Sequence, residues 1–114
     1  MRDLAKTFQA LSDTNRIRIL KMLEVRPLCV CEITEILKLA NSTVSKHLSL
    51  LRESGFIIDE KDGRWVNYRL IDSGENEYVT SLLPLLTSWL PENDLIKKDR
   101  KRVSEVDRSV ICGI

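Results

Sequence analysis

The sequence has few of the residues on which several classes of protein depend. Its 114 residues include one histidine, three cysteines and two each of tryptophan, tyrosine and phenylalanine. It contains no Ser/His/Asp set, phosphate-binding loop or carboxylate pair of the kind found in catalytic centres, so we do not expect an enzyme. No apolar run approaches the roughly 20 residues of a membrane helix, and the first residues, MRDLAKTF, do not resemble a signal peptide. We therefore expect no membrane partner.

Neither sign of charge prevails in the chain. Its 18 basic and 17 acidic residues give a net charge of +1, so any binding to nucleic acid must come from the local arrangement of charge. Three cysteines, an odd number in a chain without an export signal, favour reduced thiols in a cytoplasm over a disulfide framework. A composition of 43% hydrophobic and 31% charged residues predicts one helix-rich domain with a hydrophobic core.

The spacing of apolar residues predicts three helices before residue 40. They cover residues 3–11, 14–25 and 31–37, with Asp13 as the N-cap of the second and Pro27 ending or redirecting the chain after it. From residue 75 to residue 90 the helical period returns, with an apolar face wider than one small domain needs and with Pro84 inside it. We expect a kink or a helix boundary at Pro84.

A fourth helix is predicted in the segment NSTVSKHLSLLRESGF, with Asn41 or Ser42 as N-cap and Gly55 just after its end. Its apolar residues fall on one side of the helix. The other side carries small hydroxyls and Lys46, where a plain solvated helix would favour Glu–Lys pairs. This polar face therefore indicates close approach to another molecule, although a solvated helix side is the simpler interpretation.

Residues 56–70 alternate with the period of strands, and Asp62 and Gly63 between them predict a tight hairpin turn of type I′. A short helix, a turn, a capped helix and a charged hairpin form the order of a winged helix-turn-helix. We therefore predict a mainly α fold with a small β-hairpin, in which residues 1–91 form a DNA-binding and dimerisation domain. Residues 92–114 are predicted to form a C-terminal helical extension that carries Cys112.

These motifs together resemble the ArsR/SmtB family of metalloregulatory repressors. The resemblance is carried by FQALSDTNRIRILKMLEVRPLCVCEI, by STVSKHLSLLRESGFI and by the hairpin, and it covers roughly residues 4–90. It implies a homodimer that buries part of the wide apolar face of residues 75–90 and binds operator DNA. Helix residues would contact the major groove and the hairpin tip the neighbouring backbone or minor groove. The predicted DNA-binding residues are Ser42, Thr43, Ser45, Lys46, His47, Ser49, Lys61 and Arg64. For His47 a packing or phosphate contact is favoured over a metal-ligand role.

Two cysteines stand one residue apart in the stretch PLCVCEI. On a regular helix, residues two apart point about 200° away from each other, so Cys29 and Cys31 could not face one site. If Cys29 stays in a non-helical segment after Pro27, both sulfurs can converge on one ion, and we expect the helix start to lower the thiol pKa. Two incidental small residues are the alternative.

In the resembled family, a Cys-x-Cys at this place implies a sensor of trivalent arsenic or antimony, or of cadmium or lead. The arsenic-type pattern often has a third cysteine three residues later, where this chain has Thr34. The cadmium-type pattern uses cysteines of an N-terminal arm, and there is none before Cys29. Cys112 could supply the third sulfur, or it could be a bystander near a chain end.

The predicted function is that of a transcriptional repressor released from its operator by As(III) or Sb(III) bound to Cys29, Cys31 and Cys112. Three thiolates suit these metalloids, and Cd(II) or Pb(II) is a less favoured inducer. One alternative is a redox-responsive repressor of the same fold, with a disulfide between Cys112 and Cys29 or Cys31. Another, from a different class, is a thiol protein that buffers metal and uses its winged helix for protein contacts.

Overall fold

The computed structural model describes residues 1–111. Helices dominate this part of the chain, and three short strands form one sheet. In chain order the elements are α1 (Arg2–Ala10), α2 (Thr14–Leu23), β1 (Leu28–Cys29), α3 (Val30–Leu37), α4 (Asn41–Glu53), β2 (Ile57–Asp62), β3 (Trp65–Leu70), α5 (Glu77–Ser88), α6 (Asp94–Glu105) and α7 (Arg108–Ile111). The mainly helical fold and the winged helix-turn-helix order confirm the predicted fold class.

The sheet is antiparallel with strand order β1-β3-β2, so it extends the predicted hairpin by one strand. Strand β1 pairs Leu28 with Tyr68 and Cys29 with Asn67. Two residues are too few to give a strand periodicity, and for this reason the sequence did not predict β1. The first cysteine of the pair is thus fixed to the edge of the wing.

The hairpin turn lies one residue later than predicted. Asp62 is the last residue of β2 and pairs with Trp65, so Gly63 and Arg64 form the loop. Gly63 adopts a φ of +65°, whereas a type I′ turn at residues 62 and 63 would need positive φ at both. One positive φ at the first loop position, held by glycine, is the arrangement of a type II′ turn.

The helix-turn-helix unit is built as the sequence predicted, apart from its cap. The N-cap of α4 is Ala40, one residue before the predicted Asn41 or Ser42, and it has no side-chain cap bond. Gly55 follows the end of α4 with a φ of +90°, which confirms its place as the residue after the C-cap. Asp13 caps α2 by accepting from the backbone N–H groups of Asn15 and Arg16.

The core lies between α2, α3, α4 and the sheet, and it includes α5 and α6. Burying one such side chain contributes about 1.5–3 kcal/mol. The buried apolar residues include Ile19, Leu20, Met22, Ile33, Val44, Leu48, Leu51, Phe56, Ile57, Val79 and Val103. Helix α6 packs against α2 through this core, so part of the C-terminal extension contributes to the same hydrophobic cluster.

Lys21 is fully buried, a feature that the helical pattern of α2 did not reveal. Its Nζ donates to the carbonyl oxygens of Leu86 (2.8 Å) and Trp89 (2.9 Å) and lies 3.1 Å from a Glu24 carboxylate oxygen. A cation at the last carbonyls of a helix is favourable, and Lys21 therefore fixes the end of α5. Helix α5 continues through Pro84, so of the two predicted alternatives the helix boundary is wrong, while the kink stays a prediction. Across residues 1–111 no helix has the length and hydropathy to cross a membrane.

Candidate thiol site and DNA interface

Cys29 lies at the junction of β1 and α3. It has extended backbone angles, φ −90° and ψ 168°, and it is the N-cap residue of α3, while Cys31 is the second residue of the helix. The condition for convergence of the two sulfurs, that Cys29 stays outside the helix, is therefore met. The 200° separation of a regular helix does not apply to this pair.

The Cys29 thiol is only 3% exposed. Burial raises its pKa above the usual 9.0, and the neighbouring charge of Glu32 adds to this rise. The predicted lowering of the thiol pKa by the helix start is therefore wrong for Cys29, because desolvation of the thiolate outweighs the backbone hydrogen bonds from Glu32 and Cys31 that lower the pKa. An ion that binds this sulfur must displace its proton.

A buried carboxylate holds the backbone around Cys29. Glu32 is 3% exposed, and its Oε1 accepts the backbone N–H of Cys29 at 3.0 Å. Its Oε2 accepts from Arg26 Nη2 at 2.9 Å, and the same nitrogen donates to the carbonyl oxygen of Val103 at 3.0 Å. These bonds join the start of α3 to the end of α6. Glu32 is not among the residues predicted from the sequence, although the capping position three residues after an N-cap is the signal that points to it.

The other two cysteines differ from Cys29. Cys31 is half-buried and disulfide-bonded, whereas Cys29 is a free thiol. Cys112 lies outside the described residues. Within residues 1–111, no three histidine, cysteine or acidic side chains are grouped so that they could hold a metal ion. The predicted ligand set of Cys29, Cys31 and Cys112 therefore stays a prediction.

The polar face of α4 lies at the surface, opposite the buried Val44, Leu48 and Leu51. Its residues at the N-terminal half are exposed: Ser42, Thr43, Ser45 and Lys46. Ser49 and His47 are half-buried. An exposed helix face of this kind has the size that a major groove admits, with hydroxyls and an ammonium group that can reach bases and phosphates.

Arg16 connects the end of α1 to the middle of α4. Its guanidinium donates to the carbonyl oxygens of Ala10 (2.9 Å) and Gln9 (3.0 Å), and Nη1 lies 3.2 Å from His47 Nδ1. A guanidinium only donates, so Nδ1 accepts and the imidazole proton is on Nε2. His47 thus packs against Arg16, and its contact with a phosphate stays a prediction. Arg16 is not among the residues predicted from the sequence.

A second polar contact connects α3 with α4. The Thr34 hydroxyl donates to Asn41 Oδ1 at 3.1 Å, across the turn between the two helices. Thr34 occupies the position where the arsenic-type pattern often has its third cysteine. The threonine at this position therefore has a structural role, because its hydroxyl binds the side chain of the first residue of α4.

The hairpin tip presents the two predicted basic residues, Lys61 and Arg64, at the surface. The guanidinium of Arg64 lies 5.5 Å from the ring centroid of Trp65, within cation–π range. Asp62 stands between the two basic residues in the sequence, and its carboxylate pairs with Arg108 at 2.7 Å. The tip is therefore not uniformly basic.

The fold and these two surfaces define a winged helix-turn-helix protein with a cysteine pair at the start of the helix before the candidate recognition helix. Comparison with known proteins gives the family. Residues 13–59 match the family model described as bacterial regulatory protein, arsR family.

Named relatives agree with this match. The chain is 45% identical over 64 residues to the arsenical resistance operon repressor of Escherichia coli K12, covering 55% of each chain. It is 35% identical over 96 residues to the arsenic resistance transcriptional regulator ArsR2 of Pseudomonas putida, covering 81% of this chain and 84% of the relative. The solved structure of reduced HlyU from Vibrio cholerae superposes with a TM-score of 0.66 at 27% identity, covering 80% and 92%.

The chain belongs to the ArsR family of bacterial regulatory proteins. For some of its curated relatives, the match spans about half of the relative's length. Membership of a family of regulators confirms the prediction that the chain is not an enzyme.

Proposed function

We propose that the protein is a DNA-binding transcriptional repressor that As(III) or Sb(III) releases from its operator by binding cysteine thiolates. The observation that carries this proposal is the position of Cys29 and Cys31 on either side of the first residue of α3, at the start of the first helix of the helix-turn-helix unit. The names of the arsenic-linked relatives support the same inducer.

The structure suggests how binding at the thiols reaches the DNA. An ion that binds both Cys29 and Cys31 displaces the Cys29 proton and draws the two residues together. This movement strains the Cys29 backbone, whose N–H donates to Glu32 Oε1 at 3.0 Å. The resulting shift of α3 passes to α4 through the bond from Thr34 to Asn41 and through the shared core. Couplings between sites are typically about 1–3 kcal/mol, enough for about five- to 150-fold weaker DNA binding.

The proposed ligands are Cys29, Cys31 and Cys112. Three thiolates and a lone pair match As(III) or Sb(III), whereas four thiolates would suit Cd(II) better. Cd(II) or Pb(II) is the weaker alternative as inducer. Two sulfurs alone would bind the ion more weakly, so the experiment below also tests whether Cys112 is a ligand.

The proposed partners are operator DNA and a second copy of the chain, in a cytoplasm. Helices α1 and α5 pack against each other. They leave large apolar side chains exposed, at 55% for Phe8, 49% for Leu85 and 46% for Trp89. Exposed apolar surface of this kind indicates a protein interface, and a twofold dimer would present two α4 helices to a palindromic site. Residues 1–91 would supply DNA binding and dimerisation, and residues 92–114 the extension with the third thiol.

A redox-responsive repressor is a second candidate, and a specific observation favours it. Cys31 is disulfide-bonded in the structure, and a disulfide at this residue would prevent its use as a thiolate ligand. The structural neighbour HlyU has been solved in a reduced form. The predicted pairing of Cys31 with Cys112 falls outside the described residues.

Fluorescence anisotropy with a labelled palindromic duplex from the region upstream of the coding sequence tests the proposal. Under reducing conditions we expect arsenite to raise the Kd of the parent by about five- to 150-fold. The double variant Cys29→Ser, Cys31→Ser should keep its DNA, and a non-palindromic duplex serves as control. A Cys112→Ser variant that responds to arsenite as the parent does would remove Cys112 from the ligand set.

The same assay separates the alternatives. Release by peroxide instead of arsenite, reversed by reductant, would establish the redox repressor in place of the arsenic sensor. Release by Cd(II) or Pb(II) at lower concentrations than arsenite would replace the proposed inducer. No binding to any upstream duplex, together with tight metal binding, would favour the buffering protein.

A further inference from the structure

One side chain of the C-terminal extension, Arg108, contacts the wing. Arg108, the first residue of α7, donates from Nη1 to Asn67 Oδ1 at 2.9 Å and from Nη2 to Asp62 Oδ2 at 2.7 Å. Its guanidinium also lies 4.9 Å from the ring centroid of Trp65. One side chain therefore contacts both strands of the hairpin next to its turn.

The residues just before Arg108 are held at the thiol site. Arg26 donates to the carbonyl oxygens of Val103 (3.0 Å) and Val106 (3.4 Å) and, with the same nitrogen, to Glu32. Glu32 in turn holds the backbone of Cys29. Residues 103–108 thus run from the start of α3 to the hairpin tip, and α7 packs on α3.

A cavity of about 580 Å³ lies beneath this segment. It is lined on one side by Arg26 and Glu32 of the thiol site and on the other by Asn67 of the wing and Arg108. Arg26 therefore holds the segment at one end through the backbone carbonyl oxygens of Val103 and Val106, and the Arg108 side chain holds it at the other end.

The contact with Arg108 changes the charge that the hairpin tip presents. Asp62 lies between Lys61 and Arg64, the two residues predicted to contact DNA, and an unpaired carboxylate there would repel phosphates. The paired guanidinium offsets this charge. Arg108 also spans Asp62 of β2 and Asn67 of β3, which limits the orientations that the hairpin can adopt.

We propose that Arg108 is a positioning residue that docks the C-terminal helix on the wing and couples the wing to the thiol site. Because the wing's use in DNA binding is itself part of the proposed function, this inference rests on that proposal. A change at the start of α3 would reach the hairpin through Glu32, Arg26 and residues 103–108. This route is separate from the contact between Thr34 and Asn41.

Hydrogen exchange of the wing backbone tests the docking without DNA or arsenite. In the disulfide-bonded state, Arg108→Ala should raise the exchange rates of amides in residues 60–67 by about three- to tenfold, as expected for loss of an exposed ion pair and a cation–π contact. Lys97→Ala is the matched control, because it removes an exposed ion pair, with Glu92, from the same extension. Equal wing exchange in the two variants and the parent would overturn the docking.

A second comparison tests whether the docking is specific. Asp62→Asn should raise wing exchange in the parent background and much less in the Arg108→Ala background, because the two substitutions remove the same contact. Fully additive effects would show that Arg108 does not act through Asp62.

DNA binding then separates this inference from the proposed function. If Arg108→Ala binds operator DNA more weakly than the parent, while Lys97→Ala does not, the wing depends on Arg108 for binding. If Arg108→Ala speeds wing exchange but DNA affinity is unchanged, docking stands and its coupling to DNA is wrong. A parent protein that binds no DNA would contradict the proposed function and leave the exchange result on docking intact.

Discussion

The start of α3 and the exposed face of α4 use polar side chains in opposite ways. At the start of α3, Glu32 is buried, and its two carboxylate oxygens accept hydrogen bonds from the Cys29 N–H and from Arg26. On α4, Ser42, Ser45 and Lys46 are at the surface, while the opposite side of the helix is in the core. Of these two neighbouring helices, one therefore uses a polar side chain for internal hydrogen bonds, and the other leaves its polar side chains exposed.

The difference teaches which substitutions should affect folding and which should affect only binding. Removing one partner of a buried polar contact leaves the other without water or a hydrogen bond, and this costs stability. Removing an exposed polar side chain costs the fold little and leaves only external contacts to be lost. The following predictions test this separation, from the largest expected effect to the smallest.

The largest effect is expected from Glu32→Ala. It removes the acceptor of the buried Cys29 N–H and the carboxylate that pairs with Arg26, and we expect the free energy of unfolding to fall by about 2–4 kcal/mol. Urea unfolding under reducing conditions measures it. Glu35→Ala is the matched control on the same helix, because its ion pair with Arg102 is exposed on both sides and should be worth less than about 1 kcal/mol. Equal losses in the two variants would break the comparison.

Lys46→Ala should change binding and leave the fold intact. We expect the Kd for operator DNA to rise by about three- to tenfold and the salt dependence of binding to weaken, since each subunit loses about one phosphate contact. The free energy of unfolding should stay within about 0.5 kcal/mol of the parent. Anisotropy titrations at several salt concentrations measure the first effect, with Lys97→Ala as control. An unchanged Kd and salt slope would exclude Lys46 from the DNA interface.

The wing tip is an intermediate case, exposed but internally paired, and it gives the smallest effect. The hydrogen bond and charge of Arg108 lower the pKa of Asp62 below the ordinary 3.8. A lowered pKa means that the pairing contributes above that ordinary value and is lost as the pH falls through the folded-state pKa. An NMR titration of the Asp62 carboxyl carbon should therefore show a higher pKa in Arg108→Ala than in the parent. The same pKa in both proteins would contradict the pairing.

Local sequence signals predicted the elements around the candidate site well. The hydroxyl-rich face of α4, the glycine after its end and the Asp13 cap each depend on neighbours within a few residues, and the structure has all three. The non-helical position of Cys29 after Pro27 was only a condition at the level of the sequence, and the structure meets it. Helix periods and caps are local, so the sequence alone was sufficient to predict them.

What the sequence did not reveal depends on contacts between distant residues. Strand β1 is only two residues long and exists because Cys29 meets Asn67. In the sequence alone, Lys21 is indistinguishable from a solvent-exposed lysine. Its burial depends on carbonyl partners that lie 65 and 68 residues away. Arg108 likewise lies in a short charged segment with no period, and its partner Asp62 is 46 residues away.

Native mass spectrometry of the reduced protein with its operator duplex and limiting arsenite tests the central claim most directly. It counts arsenic and DNA on the same molecules. We predict that arsenic adducts, with loss of thiol protons, appear on protein free of DNA and are depleted from the DNA complex. The double variant Cys29→Ser, Cys31→Ser should show no such adduct. Arsenic-bearing protein that occupies DNA in the same proportion as arsenic-free protein would contradict the account.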